Sequence, residues 1–169
     1  MLDRAMSISV DLPDRKYEMI ELTGAWARER SVKKRKLEHG IQAVYSMRGC
    51  SSHNYNPFLA LKRAQTTEDS GEVLGFSLVY SGNFLAQAEV DTYDVTRVTL
   101  GIHPECFQWK LEKNESFQTP EAVMVYSEEG LNGMSQVFHE LYRTRLARGK
   151  WRDRVRPILI NNWEVTYFD

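Results

Sequence analysis

Apolar and polar residues alternate from the first few positions of the chain. Met6, Ile8, Val10 and Leu12 are separated by Ser7, Ser9 and Asp11, which predicts a strand with one wet face. Pro13-Asp14 punctuates it, and a weaker alternation follows over Tyr17–Thr23. Residues 28–36 read as a solvated strand face and turn, and Gly40 opens another strand-like run, Ile41–Met47. Val73–Tyr80 is apolar on both faces, as a central strand would be. Ser81-Gly82-Asn83 supplies turn chemistry and Phe84–Val90 a return strand, so residues 71–90 are predicted to form a hairpin. Val95–Ile102 carries Val98, Leu100 and Ile102 on one face. Phe107, Trp109 and Leu111 alternate with Gln108 and Lys110, and Glu112–Asn114 turns the chain. A last strand is expected over Phe117–Tyr126, interrupted by Pro120. Short strands at this density predict a mainly β fold, an antiparallel β-sandwich.

The period changes at Ser127. Leu131, Met134, Phe138, Leu141 and Tyr142 recur at steps of three and four, which predicts an amphipathic helix to about Ala147. Ser127 is the expected N-cap, with Glu128 and Glu129 in the first turn and Gly149 as the stop. A charged connector leads to Pro157-Ile158-Leu159-Ile160-Asn161-Asn162-Trp163, whose unbroken apolar run resembles a buried parallel strand. Such a strand needs neighbours that the last six residues do not supply, and the first strand begins close to Met1. The chain therefore reads as a segment of a longer protein: a sandwich over 1–126, a linker helix and connector over 127–156, and the opening strand of a further domain over 157–169.

Composition narrows the function. The chain has 169 residues, 42% hydrophobic, with 22 Lys plus Arg against 23 Asp plus Glu and a net charge of −1. That balance argues against a nucleic-acid partner or an acidic membrane surface, although residues 28–36 hold six cations against Glu29 alone. No run has the length of a membrane span and the N-terminus lacks a signal-peptide stretch, so a cytoplasmic location is expected. Cys50 and Cys106 have no metal or framework spacing and read as reduced thiols.

Candidate chemistry is sparse. Phosphate-loop, zincin and nucleophile-elbow motifs do not occur, and His39, His53, His103 and His139 lack metal-ligand spacing, so neither metal nor cofactor is expected. The polar loop Arg48–Phe58 suits either an ordered turn network or hydroxyl-rich ligands. Trp26, Trp109 and Trp151 suit either core and interface packing or a binding platform. Trp163, at the C-terminal end of the predicted parallel strand, suits either domain packing or stacking on a sugar.

RPILINNWEVTYFD (Arg156–Asp169) resembles the opening barrel strand of bacterial α-galactosidases of glycoside hydrolase family 36. The resemblance extends through YEMIELTGAWARER, RGCSSHNYNPF, GFSLVYSGNFLAQAEVD, ESFQTPEAVMVYSEEGLNGMSQ and YRTRLARGKWRDRVRPILINNW, essentially the whole chain. It implies the later part of a galactose-mutarotase-like N-terminal supersandwich, ahead of a catalytic (β/α)8 barrel. The implied reaction is retaining hydrolysis of terminal α-linked galactose, as in melibiose and raffinose, by two aspartates. Both lie on later barrel strands, so no residue here is catalytic, Asp169 included, and the segment alone is expected to be inactive and structural. The resemblance places Trp163 in the galactose pocket. It also implies a homo-oligomeric parent, a tetramer in which this domain lies near a neighbour's site. The competing expectation is a stand-alone, non-catalytic carbohydrate-binding or assembly module.

Overall fold

A computed structural model describes residues 1–163, apart from the side chain of Cys106. The chain divides into two compact units, Met1–Ser135 and Gln136–Asp169.

The first unit contains nine strands: β1 (Met6–Leu12), β2 (Glu18–Ala25), β3 (Arg28–Lys36), β4 (Gly40–Tyr45), β5 (Tyr55–Lys62), β6 (Val73–Val79), β7 (Phe84–Val90), β8 (Thr96–Ile102) and β9 (Glu121–Ser127). They form a four-stranded sheet in the order β1-β8-β7-β4 and a five-stranded sheet in the order β3-β2-β5-β6-β9. Every strand pairing is antiparallel. The two-sheet fold predicted from alternation is thus the fold observed.

Period-two patterning sets which residues meet in the core. Ile8, Val10, Ala86, Ala88, Val98 and Leu100 lie on one face of the four-stranded sheet, with Val98 opposite both Val10 and Ala88. Met19, Leu59, Leu61, Leu74 and Phe76 come from the five-stranded sheet and belong to the same cluster. On that sheet's other face Ile20, Ala60, Gly75 and Val125 form a row across four strands, and all four are buried. Strands β5 and β6 are apolar on both faces for this reason.

Several sequence expectations are corrected. Residues 71–90 do not form a hairpin: β6 pairs with β5 and β9, and β7 pairs with β4 and β8. Ser81–Asn83 carries the chain between sheets, because turn residues encode a reversal without specifying the partner. The polar loop ends sooner than expected, since Tyr55–Phe58 begin β5, whose apolar half Leu59–Leu61 went unread in the sequence. The Phe107–Leu111 alternation yields one bridge, Trp109 to Leu2, with no strand, and a 3-10 turn over Pro104–Cys106 precedes it.

The helix also begins later than expected. Ser127 closes β9, and α1 runs Gly130–Leu141. Its first N–H groups find carbonyls on another loop. Gly130 donates to Gly71 O at 3.1 Å, Leu131 to Thr67 O at 3.2 Å and Asn132 to Glu68 O at 2.8 Å. Those bonds replace a side-chain N-cap. Gly130 itself adopts φ +64, and a Cβ there would lie 2.6 Å from Glu68 O.

In the second unit, Phe138 stacks on Tyr142 with centroids 6.0 Å apart. A π-helical turn, Tyr142–Leu146, extends the helix and carries Arg143 and Arg145 at its end. Residues 155–162 then have no regular secondary structure. The predicted parallel strand makes no ladder among the described residues, and its residues 164–169 lie outside them. Val155, Ile158, Leu159 and Ile160 are 95, 94, 91 and 83% exposed. A parallel strand forms only beside a partner strand and with its faces covered, so apolarity alone does not form one.

Candidate functional site

Three connections meet at one end of the sandwich: the β2–β3 turn, the polar loop after β4, and the β6–β7 crossover. The loop is held by its polar residues. Asn54 receives hydrogen bonds from Arg48 and from Ser52 Oγ, the latter at 3.1 Å. Gly24 N donates to Asn54 O at 3.0 Å, and Asn54 Nδ2 donates to Gly24 O at 3.3 Å. This reciprocal pair fastens the loop to the β2–β3 hairpin. Gly24 is obligatory there, because a Cβ would sit 2.7 Å from Arg28 O and 2.9 Å from His53 O. On the opposite flank Gly49 N donates to Asn83 Oδ1 at 2.6 Å and Ser51 N to Ser81 O at 2.8 Å. The loop is therefore an ordered turn network. Cys50 presents an exposed thiol from it.

A groove beside the loop is lined by Thr23, Arg28, Ser31, Lys33 and Asn54. Trp26 stands at the tip of the β2–β3 turn, exposed, next to Ala27 at φ +60. The cationic strand β3 is the sheet edge, and all its residues are exposed. Charge on an edge strand opposes pairing with other chains. Arg35 turns toward the opening between the sheets, ion-paired with Glu21 and within 3.4 Å of Ala43 O on β4.

The histidines are dispersed. His39 Nε2 lies 3.0 Å from Asp94 Oδ1, which also receives Arg15 Nε at 2.7 Å. His53 and His139 are exposed, whereas His103 is buried with its ring 5.4 Å from Tyr45. Among the described residues no three His, Cys, Asp or Glu side chains gather to hold a metal. Many carboxylates are engaged by cations: Asp14 and Glu72 by Arg63, Glu18 by Lys62, Asp11 by Arg97. Glu128 accepts the Tyr126 hydroxyl at 2.8 Å, and Glu129 N donates to Ser127 Oγ at 3.1 Å. No helix of the described residues is long and apolar enough to cross a membrane.

In the second unit Trp163 is 52% exposed, and its N–H donates to Asn161 Oδ1 at 3.0 Å. Lys150 Nζ lies 4.7 Å from the Trp151 ring centroid.

Comparison with known proteins places this sandwich, with its ordered loop end and a helix after its last strand, among the N-terminal β-domains of glycoside hydrolases. The chain belongs to glycosyl hydrolase family 36, whose N-terminal domain model matches residues 1–112, and a melibiase model matches residues 116–169. It is 63% identical over 166 residues to alpha-galactosidase AgaA of Geobacillus stearothermophilus, covering 98% of this chain and 23% of that protein. Alpha-galactosidase Mel36A of Lactobacillus acidophilus is 48% identical over 99% of this chain. A crystal structure of an AgaA variant in complex with stachyose superposes with a TM-score of 0.95, over 99% of this chain and 23% of that one. The galactosidase domain of an alpha-galactosidase–sucrose kinase, AgaSK, gives 0.94 at 40% identity, over 99% of this chain and 23% of that one. The chain thus spans about 23% of the length of these curated relatives.

Proposed function

We propose that this chain is the N-terminal segment of a retaining α-galactosidase that releases terminal α-linked galactose from oligosaccharides such as melibiose and raffinose. Residues 1–126 are its sandwich, 127–156 the linker helix and connector, and 157–169 the first strand of its barrel. The segment's own role is structural: it supports the barrel and the contacts of a homo-oligomer, in the cytoplasm. The nucleophile and the acid/base aspartates belong to later barrel strands, so the segment alone is inactive.

One observation carries this reading. The exposed apolar run Ile158–Ile160 leads into Trp163, inside the stretch matched by the melibiase model. Exposed β-formers of this kind are what a barrel strand looks like without its neighbours. Trp163 then faces the galactose site, its ring stacking on the sugar while Asn161 fixes its backbone. The relatives point the same way, since AgaA variants are solved with stachyose and with raffinose.

The test is hydrolysis of a chromogenic α-galactoside by this chain and by a full-length enzyme containing it. Turnover by the full-length enzyme alone is expected, with kcat/KM reduced about 100-fold by Trp163→Ala, a loss typical of a misplaced or removed positioning contact. Turnover by the isolated chain, or an unaffected Trp163→Ala enzyme, contradicts the reading.

A further inference from the structure

The segment between β8 and β9 supplies none of the groups used above, yet it builds a cavity. Trp109 is fixed there by its main chain: Leu2 N donates to Trp109 O at 2.8 Å and Trp109 N to Leu2 O at 2.9 Å. Its ring leans on Phe117, with centroids 5.3 Å apart and planes at 54°. Phe117 in turn meets Phe107 at the same separation and 58°. Tilted contacts of this kind hold aromatic rings in register. The Trp109 side chain is 49% exposed.

The three rings border a cavity of about 550 Å³, within the range of small-molecule sites. Gln108, Gln118 and Thr119 bring amide and hydroxyl groups to the same wall, and Tyr80 adds a partly exposed phenol. None of the described lining residues is charged. Fixed aromatic faces beside neutral donors and acceptors match one ligand chemistry: a neutral, polyhydroxylated ring with an apolar face of C–H groups. A phosphate or carboxylate ligand would find no counter-charge here.

We propose that this cavity is a non-catalytic carbohydrate site that binds an α-galactosyl oligosaccharide through stacking on Trp109 and hydrogen bonds to Gln118 and Gln108. The choice of sugar rests on the α-galactosidase reading. The site is separate from Trp163 in sequence and is built wholly within Met1–Ser135.

Raffinose is titrated into the 15N-labelled chain while the indole N–H resonances of the four tryptophans are followed. The expected result is a saturable shift of the Trp109 resonance with Kd near about 1 mM, weak but specific. Gln118 is exposed, so Gln118→Ala folds normally and weakens binding about tenfold, the loss of a hydrogen bond or two. Trp163→Ala leaves the Trp109 shift intact. No shift of Trp109 up to about 50 mM raffinose, far above a weak-site Kd, overturns the site. So does equal binding by Gln118→Ala, or a stronger response to maltotriose than to raffinose. Full-length activity toward a chromogenic α-galactoside, measured alongside, decides the parent reaction independently.

Discussion

Arg63 lies over Tyr17, its guanidinium carbon 3.9 Å from the centre of the ring. The same guanidinium reaches Asp14 Oδ1 at 2.7 Å and Glu72 Oε1 at 2.9 Å. One side chain thereby joins the β1–β2 turn, the end of β5 and the start of β6. Burial is the main influence on the Tyr17 hydroxyl and pushes its pKa up to about 12, with Arg63 pulling the other way. The raised value means that the fold favours the neutral phenol. This contribution to stability is complete below the free-tyrosine pKa of about 10 and disappears as pH rises through about 12. Ultraviolet titration of the phenolates is expected to show one late component, absent from Tyr17→Phe. A Tyr17→Phe spectrum that keeps that component places it on another tyrosine.

The acid side of the same cluster has the opposite sign. Arg63's hydrogen bond holds the Asp14 carboxyl below its ordinary range, against a smaller opposing effect of burial. A depressed carboxylate contributes stability above its unfolded pKa of about 3.9, and that contribution is lost as pH falls through the lower folded value. Urea midpoints measured from neutral pH down to about 2 should therefore fall less steeply below pH 4 for Asp14→Asn than for the wild-type chain. Parallel curves in that window would remove Asp14 from the acid response.

The Lys62 side chain is buried, 5% exposed, among hydrogen-bond acceptors. It lies 3.0 Å from Glu18 Oε2 and donates to the carbonyls of Arg63, Ala64 and Thr66 at 3.2, 3.5 and 3.3 Å. Lys62→Met keeps the aliphatic stem and removes the charge. Glu18 then loses its partner and the bend after β5 loses its donor, at a cost of about 3 kcal/mol. The loss is read from denaturant unfolding. A change below about 0.5 kcal/mol, the scale of an exposed ion pair, would mean that water replaces the ammonium.

Legibility in the sequence followed how local each signal was. Strands β1 and β7 have the predicted bounds, because alternation and flanking turns are both local. The β6–β7 hairpin failed because Ser81-Gly82-Asn83 reverses the chain equally well within a sheet and between sheets. The start of α1 was misplaced because its first amides are satisfied by residues 67–71, and proximity to that loop is invisible in a helix-cap pattern. At the site, the Arg48–Asn54 network was foreseeable from its Ser and Asn content. Its anchors at Gly24 and Asn83 were not, since they are distant in sequence. Trp109 was placed by alternation on a core face, whereas among the described residues it joins a single bridge to Leu2. Trp163 stood out by its position at the end of the apolar run, and only the family resemblance favoured a galactose pocket over domain packing.

The apolar run after the connector has a consequence for the chain in solution. Ile158, Leu159 and Ile160 are consecutive, apolar and more than four-fifths exposed, and the two isoleucines favour strands. Unpaired strand-formers of this type present free backbone donors and acceptors together with apolar side chains, a template for pairing with another copy. Strand β3 is protected from the same fate by its lysines and arginines, whereas Pro157–Asn162 carries no charge. Concentration-dependent association is therefore expected in sedimentation velocity. Ile158→Lys with Ile160→Lys should return the chain to monomer and leave the unfolding midpoint of the sandwich within about 0.5 kcal/mol of wild type, as exposed substitutions do. A wild-type chain that sediments as a monomer at about 100 μM, where weak apolar contacts are populated, would show that the run is covered by its own chain. Association that survives both lysines would instead assign it to another surface, with Trp26 at the β2–β3 tip the next to replace.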